Sequence, residues 1–391
     1  MKLLKHSQDL IKLFSPNKPS AWSPKTRQTL TWLFRELQEA CRIQPSFERK
    51  ETRGRVTKPS RFADHHFHPK VIRHLNTALK RESIYTFSLH EREVHVFLSS
   101  ESRMTRQEED GFVSAVAAWL HLVQKYAPRQ CASRLSVYLY LTNLTKTLPA
   151  SPSEILDEWH VNTAFTTSCS PVSEIVVFRR EEWFKVFVHE TFHAFGLDFS
   201  GMARQVADQC VARTFPVKSM GRTYEAYTEC WAELWNACFC AYQETRSIGS
   251  FLSKVSLYLQ AERRHSFFQM VKALNHMGVK YGDLLKGTRG FREHTSVLSY
   301  YVLKTILMSD IPAFLDWCRE NNRPTASLFA FRQTLRNQTS FCAYLRAHSQ
   351  SKSMLLGIQE ATQWLNHWSQ SRKRAAPFLT SNMRMTLCEL G

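Results

Sequence analysis

A chain of 391 residues with 43% apolar and 12% aromatic side chains has material for one large or two ordinary cores, which excludes a disordered protein. Its net charge of +18, with a pI near 9.6, favours nucleic acid, acidic proteins or anionic membranes as partners through long-range attraction. No apolar run reaches the roughly 18 residues of a membrane-spanning helix. The longest candidate, Ser296 to Met308, is interrupted by Lys304.

Met1 to Phe14 alternates lysines with Leu and Ile at helical spacing and lacks the apolar stretch and cleavage site of a secretory signal. The chain is therefore expected to be soluble and intracellular. Residues 1–62 hold fourteen Lys and Arg against five Asp and Glu, so residues 1–80 read as a basic arm with short helices. Trp32 to Cys41 has helical apolar spacing, and 44–61 is polar and loop-like. His65, His66 and His68 fall beside this basic stretch and are expected at the surface.

From Ile84 the pattern turns to strands. Ile84–His90 and Val94–Leu98 flank the charged turn Glu91–Glu93 and predict a hairpin. A helix over 106–125 follows, with the apolar stripe Phe112, Val116, Leu120 and Val123. Leu135–Leu141 and Glu174–Phe178 predict two more strands, joined by a long connection that holds Val161–Phe165. A histidine-bearing helix comes next, and then helices near 222–245, 250–274, 294–308 and 311–319. The pattern divides the chain into the arm 1–80, a strand-and-helix subdomain 81–200, a helical subdomain 201–320 and a helical, basic extension 321–391. That is an α+β chain with the histidine helix at the join, where a cleft is a usual place for a site.

The ten cysteines (41, 131, 169, 210, 230, 238, 240, 318, 342 and 388) show no zinc-knuckle or redox spacing and are expected as reduced thiols, mostly buried. Without a secretory signal, the glycosylation patterns at Asn143 and Asn337 read as coincidence.

The chemistry concentrates in Val188-His189-Glu190-Thr-Phe-His193-Ala-Phe-Gly196. Residues four apart share a helix face, so His189 and His193 can present imidazole nitrogens to one metal ion. Glu190, next to the first histidine, is placed to act as general base on a metal-bound water. Gly196 offers a stop for the helix. A two-histidine zinc site needs a third protein ligand, and Glu225, Glu229 and Glu233 lie along one face of an aromatic-rich helix 36 residues on. Carboxylates on such a helix are costly to bury unless paired or bound to metal. Glu225 is expected to face solvent.

His-Glu-x-x-His followed by a helix with Glu-x-x-Ala-Glu resembles the gluzincin class of zinc metallopeptidases. Glu229-Cys-Trp-Ala-Glu233 is similar to the ligand segment of toxin-type gluzincins. The wider wording, Phe-x-Val-His-Glu-Thr-Phe-His with Leu-Asp-Phe-Ser after it, resembles metallopeptidases of large nucleocytoplasmic DNA viruses. The resemblance covers about residues 155–305. It implies a zincin-like fold, bound Zn2+, a protein or peptide substrate, Glu229 as the third ligand and Glu233 as the support of a histidine. The metzincin pattern needs a His or Asp where Phe199 stands. Asp198 either orients a histidine, caps the helix or faces solvent. His294, Tyr300 and Tyr301 are candidates to stabilise an oxyanion, and the 174–178 strand is a candidate to pair with an extended peptide. A rival reading is a virion-associated or scaffold protein that keeps this fold and binds nucleic acid or acidic partners through its basic surface.

Overall fold

The computed structural model describes residues 1–16, 21–43, 45–322, 327–373 and 375–391. Gln44, in the expected loop, and residues 323–326 and 374, in the expected C-terminal extension, lie outside them. In chain order the elements begin with α1 (Lys5–Phe14), α2 (Pro24–Ala40), β1 (Glu48–Arg53), α3 (Pro69–Ala78), β2 (Arg81–Leu89) and β3 (Arg92–Ser100). Next come α4 (Arg106–Gln124), β4 (Arg134–Leu141), α5 (Glu158–Val161), β5 (Ala164–Thr166), β6 (Val172–Val177) and α6 (Trp183–Ala194). The helical half holds α7 (Gln205–Thr214), α8 (Thr223–Glu244), α9 (Ile248–His276) and α10 (Tyr281–Lys286). A π-helical turn (Leu298–Leu303) then runs into α11 (Lys304–Ser309), before α12 (Ile311–Asn321), α13 (Leu335–His348), α14 (Lys352–Ser369) and α15 (Ala376–Ser381).

Among the described residues the strands form one six-stranded sheet in the order β1-β2-β3-β4-β6-β5. The predicted hairpin is β2 and β3, in a register that sets Tyr85 opposite Val96 and Phe87 opposite Val94. Its turn falls at His90, whose φ of 50° is left-handed. β3, β4 and β6 run parallel, so the chain must cross over between them. The first crossover is α4, which opens with the Thr105–Glu108 capping box and buries its stripe of Phe112, Val116, Leu120 and Val123 against the sheet side of the core. β5 pairs antiparallel with β6 and ends the sheet. The strand expected to accept a peptide is therefore interior, with both edges taken by β4 and β5. The free edge at this end belongs to β5.

The N-terminal residues do not form an arm. Leu10, Ile11 and Phe14 of α1, and Leu30, Leu33 and Leu37 of α2, are buried in the same core as the sheet and the later helices. Phe14 meets His265, Phe268 and Trp364 edge-on or tilted at centroid distances of 5.1, 5.6 and 5.2 Å. Their apolar residues recur at helical spacing, and that stripe outweighs the lysines on the opposite face. The end of the chain is likewise part of the core. Met383, Met385, Leu387 and Leu390 are buried. Glu182 accepts the main-chain N–H groups of Met385 and Thr386, each at 2.7 Å, and Glu262 those of Leu387 and Cys388. His65 and His66 are exposed, as expected, and His68 caps α3. No helix among the described residues is long and apolar enough to cross a membrane.

Candidate metal centre

α6 is buried along its whole length, and its polar residues are accordingly all engaged or enclosed. It begins at Glu182, held at φ 59°, a conformation that costs a non-glycine residue about 1 kcal/mol or more. The contacts of that residue account for it. Glu182 is fully buried, receives Lys146 Nζ at 2.7 Å and takes the two N–H groups of 385 and 386. The helix stops at Gly196, with φ 62°. There the N–H groups of Gly196 and Leu197 turn back to the carbonyls of His193 and Phe192. A Cβ at Gly196 would lie 3.2 Å from Cys131 Sγ. The reversal carries Asp198 back under the helix, where its carboxylate holds His193 Nδ1 and also accepts Ser200 N–H and Oγ–H.

Cys131 and Cys169 are joined by a disulfide, contrary to the expectation of free thiols throughout. They precede β4 and β6, which are neighbouring parallel strands, so the loops that feed them meet. Cys169 N–H donates to His193 O at 3.0 Å, which ties this corner to the end of α6.

α8 packs across α6, and its three glutamates, one turn apart, do three different things. Glu225 faces both histidines: its Oε2 lies 3.1 Å from His189 Nε2, 3.4 Å from His193 Nε2 and 3.2 Å from the Tyr300 hydroxyl that donates to it. Glu229 accepts from His189 Nδ1 at 2.8 Å and from Lys185 Nζ at 2.6 Å. Glu233 is a further turn away, paired with Lys304 Nζ at 2.6 Å and touching no histidine. Glu225, expected to face solvent, is buried in the cluster. The geometry puts Glu225 where the sequence reading put Glu229, and Glu229 where it put Glu233.

The cluster brings three ligand atoms together. Each Nδ1 is held by a carboxylate, Glu229 on His189 and Asp198 on His193, so in the neutral ring the proton sits there and Nε2 is the ligand atom. The two Nε2 atoms lie 3.2 Å apart and both face Glu225. Atoms that close need positive charge between them, a proton on the rings or a metal ion. Burial by itself lowers both imidazole pKa values. The carboxylates more than offset it: His189 is raised through Glu225 and Glu229, and His193 well raised through Asp198 and Glu225. In return, the two histidines hold the Glu225 carboxyl far below the usual range in spite of its burial. His189, His193 and Glu225 offer ligand atoms all within 4.8 Å of one another. Tetrahedral zinc, with bonds near 2.0–2.2 Å, needs such donors about 3.3–3.5 Å apart, so the residues fit that ion.

Glu190 lies beside this cluster, 7% exposed, with no hydrogen bond or ion pair on its carboxylate among the described residues. Burial pushes its carboxyl up, the two histidines pull it down and Glu225 pushes it up again, with a raised value as the outcome. It shares a small cavity with His189, Lys185, Thr163, Tyr300 and Met385. Tyr300 comes from the π-helical turn, a geometry that recurs at functional sites. The other two oxyanion candidates are elsewhere. His294 is exposed, and the hydroxyl of buried Tyr301 donates to Met383 O at 2.7 Å. Lys185 escaped the sequence reading, although a lone lysine in so apolar a helix implies a buried acid opposite it. Comparison with known proteins finds no family model, no curated protein and no solved structure that matches the chain.

Proposed function

We propose that the chain is a zinc-dependent peptidase of the gluzincin kind, with His189, His193 and Glu225 as the protein ligands. One observation carries this reading: two imidazole Nε2 atoms and a buried carboxylate converge within reach of one ion, next to Glu190, whose carboxylate is unengaged among the described residues. A zinc ion bound there supplies Lewis acidity and lowers the pKa of its water toward about 7.

The residues of the chain do the rest. Glu229 and Asp198 fix the tautomer and tilt of the two histidines. Glu190, its affinity for a proton raised by burial, takes the proton of the attacking water and passes it to the leaving amine. The Tyr300 hydroxyl, which spends its proton on Glu225 in the resting site, is the donor within reach of a developing oxyanion. β5 ends the sheet beside the cluster, and Ala164 lines the cavity, so its open edge suits an extended peptide. Thr163, whose buried hydroxyl has no hydrogen-bond partner among the described residues, also lines the cavity.

Glu190→Gln tests the proposal, since it keeps the shape and removes the base. Zinc content and thermal stability stay near wild type, while cleavage of a peptide-library substrate falls at least about 10²-fold. The net charge of +18 supports a second reading, a scaffold that binds nucleic acid or acidic partners. In that case Glu190→Gln changes nothing, and polyanion binding weakens steeply with salt.

A further inference from the structure

α7 and α13 pack against each other away from the metal cluster, and a cavity of about 250 Å3 opens between them. Cys210 and Cys342 both line it, with Arg213 and Arg346 beside them. The Cys342 thiol donates to Val206 O at 3.9 Å, the carbonyl one turn before Cys210 on α7, so the two cysteines face the cavity from adjoining positions. Cys210 is half-buried and Cys342 buried, so the first is the one a small reagent meets. Both arginines are exposed, and neither guanidinium has a hydrogen bond or ion pair among the described residues. Their charge is therefore available to a thiolate.

We propose that Cys210 and Cys342 form a reversible oxidation site, at which a peroxide is reduced and the pair closes into a disulfide linking α7 to α13. Cys210 is the attacking thiolate. Its sulfur takes one oxygen of hydrogen peroxide, the O–O bond breaks, and the other oxygen leaves as water once protonated. The Cys342 sulfur then attacks the Cys210 sulfenic acid. The S–S bond forms, the S–O bond breaks, and a second water leaves with the Cys342 proton. Two thiols give up two electrons, and one peroxide accepts them.

The surroundings favour this assignment of roles. The neighbouring Cys342 thiol lowers the Cys210 thiol below its usual pKa; burial works against that, and Arg346 and Arg213 add to the lowering. Cys41 is the internal contrast. It is equally half-buried, but burial pushes its thiol up to about 11. Cys230, Cys238 and Cys318 are buried, and burial raises their thiols; for Cys230 it does so in spite of Lys304 nearby.

The test uses the full chain with one molar equivalent of hydrogen peroxide, followed by non-reducing peptide mapping. The expected product is a Cys210–Cys342 cross-link that dithiothreitol reverses. Cys342→Ser leaves a Cys210 sulfenic acid that dimedone captures, and Cys210→Ser leaves Cys342 unreacted. The Arg213→Ala, Arg346→Ala double variant reacts several-fold more slowly at pH 7, with its pH–rate midpoint moved upward. A role confined to packing would not move that midpoint. The proposal is overturned if no 210–342 cross-link forms, or if Cys41 reacts as fast as Cys210.

Discussion

His189 Nδ1 donates to Glu229 at 2.8 Å, so this glutamate grips the back of the imidazole while Glu225, one turn earlier on α8, faces its front. The two carboxylates thereby take different roles on one ring. Glu225 belongs to the converging set of ligand atoms, and Glu229 fixes which nitrogen joins it.

The consequence for metal affinity is graded. Glu229→Ala and Asp198→Ala should each keep the site but weaken zinc binding by about 10- to 100-fold, as loss of an outer partner does. Glu233→Ala should leave zinc affinity unchanged and instead destabilise the fold by about 3–5 kcal/mol, because Lys304 is left buried without its acid. Competition titration with a chromophoric chelator, alongside chemical denaturation, separates the two effects.

Lys185 connects the base of α6 to the same ring through Glu229, with both side chains 2% exposed. Lys185→Met should lower stability by about 3–5 kcal/mol, since it strands a buried carboxylate. It should also loosen zinc binding, because Glu229 loses the cation that keeps it ionised. Wild-type zinc affinity in a folded Lys185→Met protein would show that Glu229 needs no such anchor.

How far the sequence foretells this site depends on the feature. The hairpin, α4, β4, β6 and α6 carry their signal locally, as alternation or a helical stripe. β1 reads Glu-Arg-Lys-Glu-Thr-Arg, with no apolar residue, and becomes a strand only by pairing with β2. β5 has three residues, too few for any period. On α8, glutamates four apart are equivalent to a pattern, and the choice among them depends on how far α8 slides along α6. That is a tertiary quantity. Asp198 read equally as a histidine partner, a helix cap or a solvent-facing acid, and the reversal at Gly196 decides for the histidine. The Cys131–Cys169 pair was not legible, because the order of strands in the sheet brings the two together.

Lys272 gives the fold a pH dependence of known sign. Its Nζ is buried and donates to the carbonyls of Leu379 and Asn382 at 2.7 and 2.5 Å, without a paired acid among the described residues. Burial lowers its pKa to about 7, with Glu181 pulling the other way. Below pH 7 the lysine is charged in both states, and folding bears the cost of enclosing that charge. Between about pH 7 and the unfolded value of 10.5 the unfolded chain binds the extra proton. Lys272 therefore makes stability rise with pH across this window. Comparing denaturation midpoints from pH 6.5 to 9.5, Lys272→Met should remove that rise. An identical slope in wild type and variant would mean that Lys272 keeps its proton when buried.

The account turns most directly on zinc bound per folded chain, measured by elemental analysis after equilibration with limiting free zinc, for wild type, His189→Ala, Glu225→Ala and Glu229→Ala. It predicts about one zinc in wild type, none in His189→Ala and Glu225→Ala, and a reduced but saturable amount in Glu229→Ala. Stoichiometric zinc in Glu225→Ala, with none in Glu229→Ala, would contradict it.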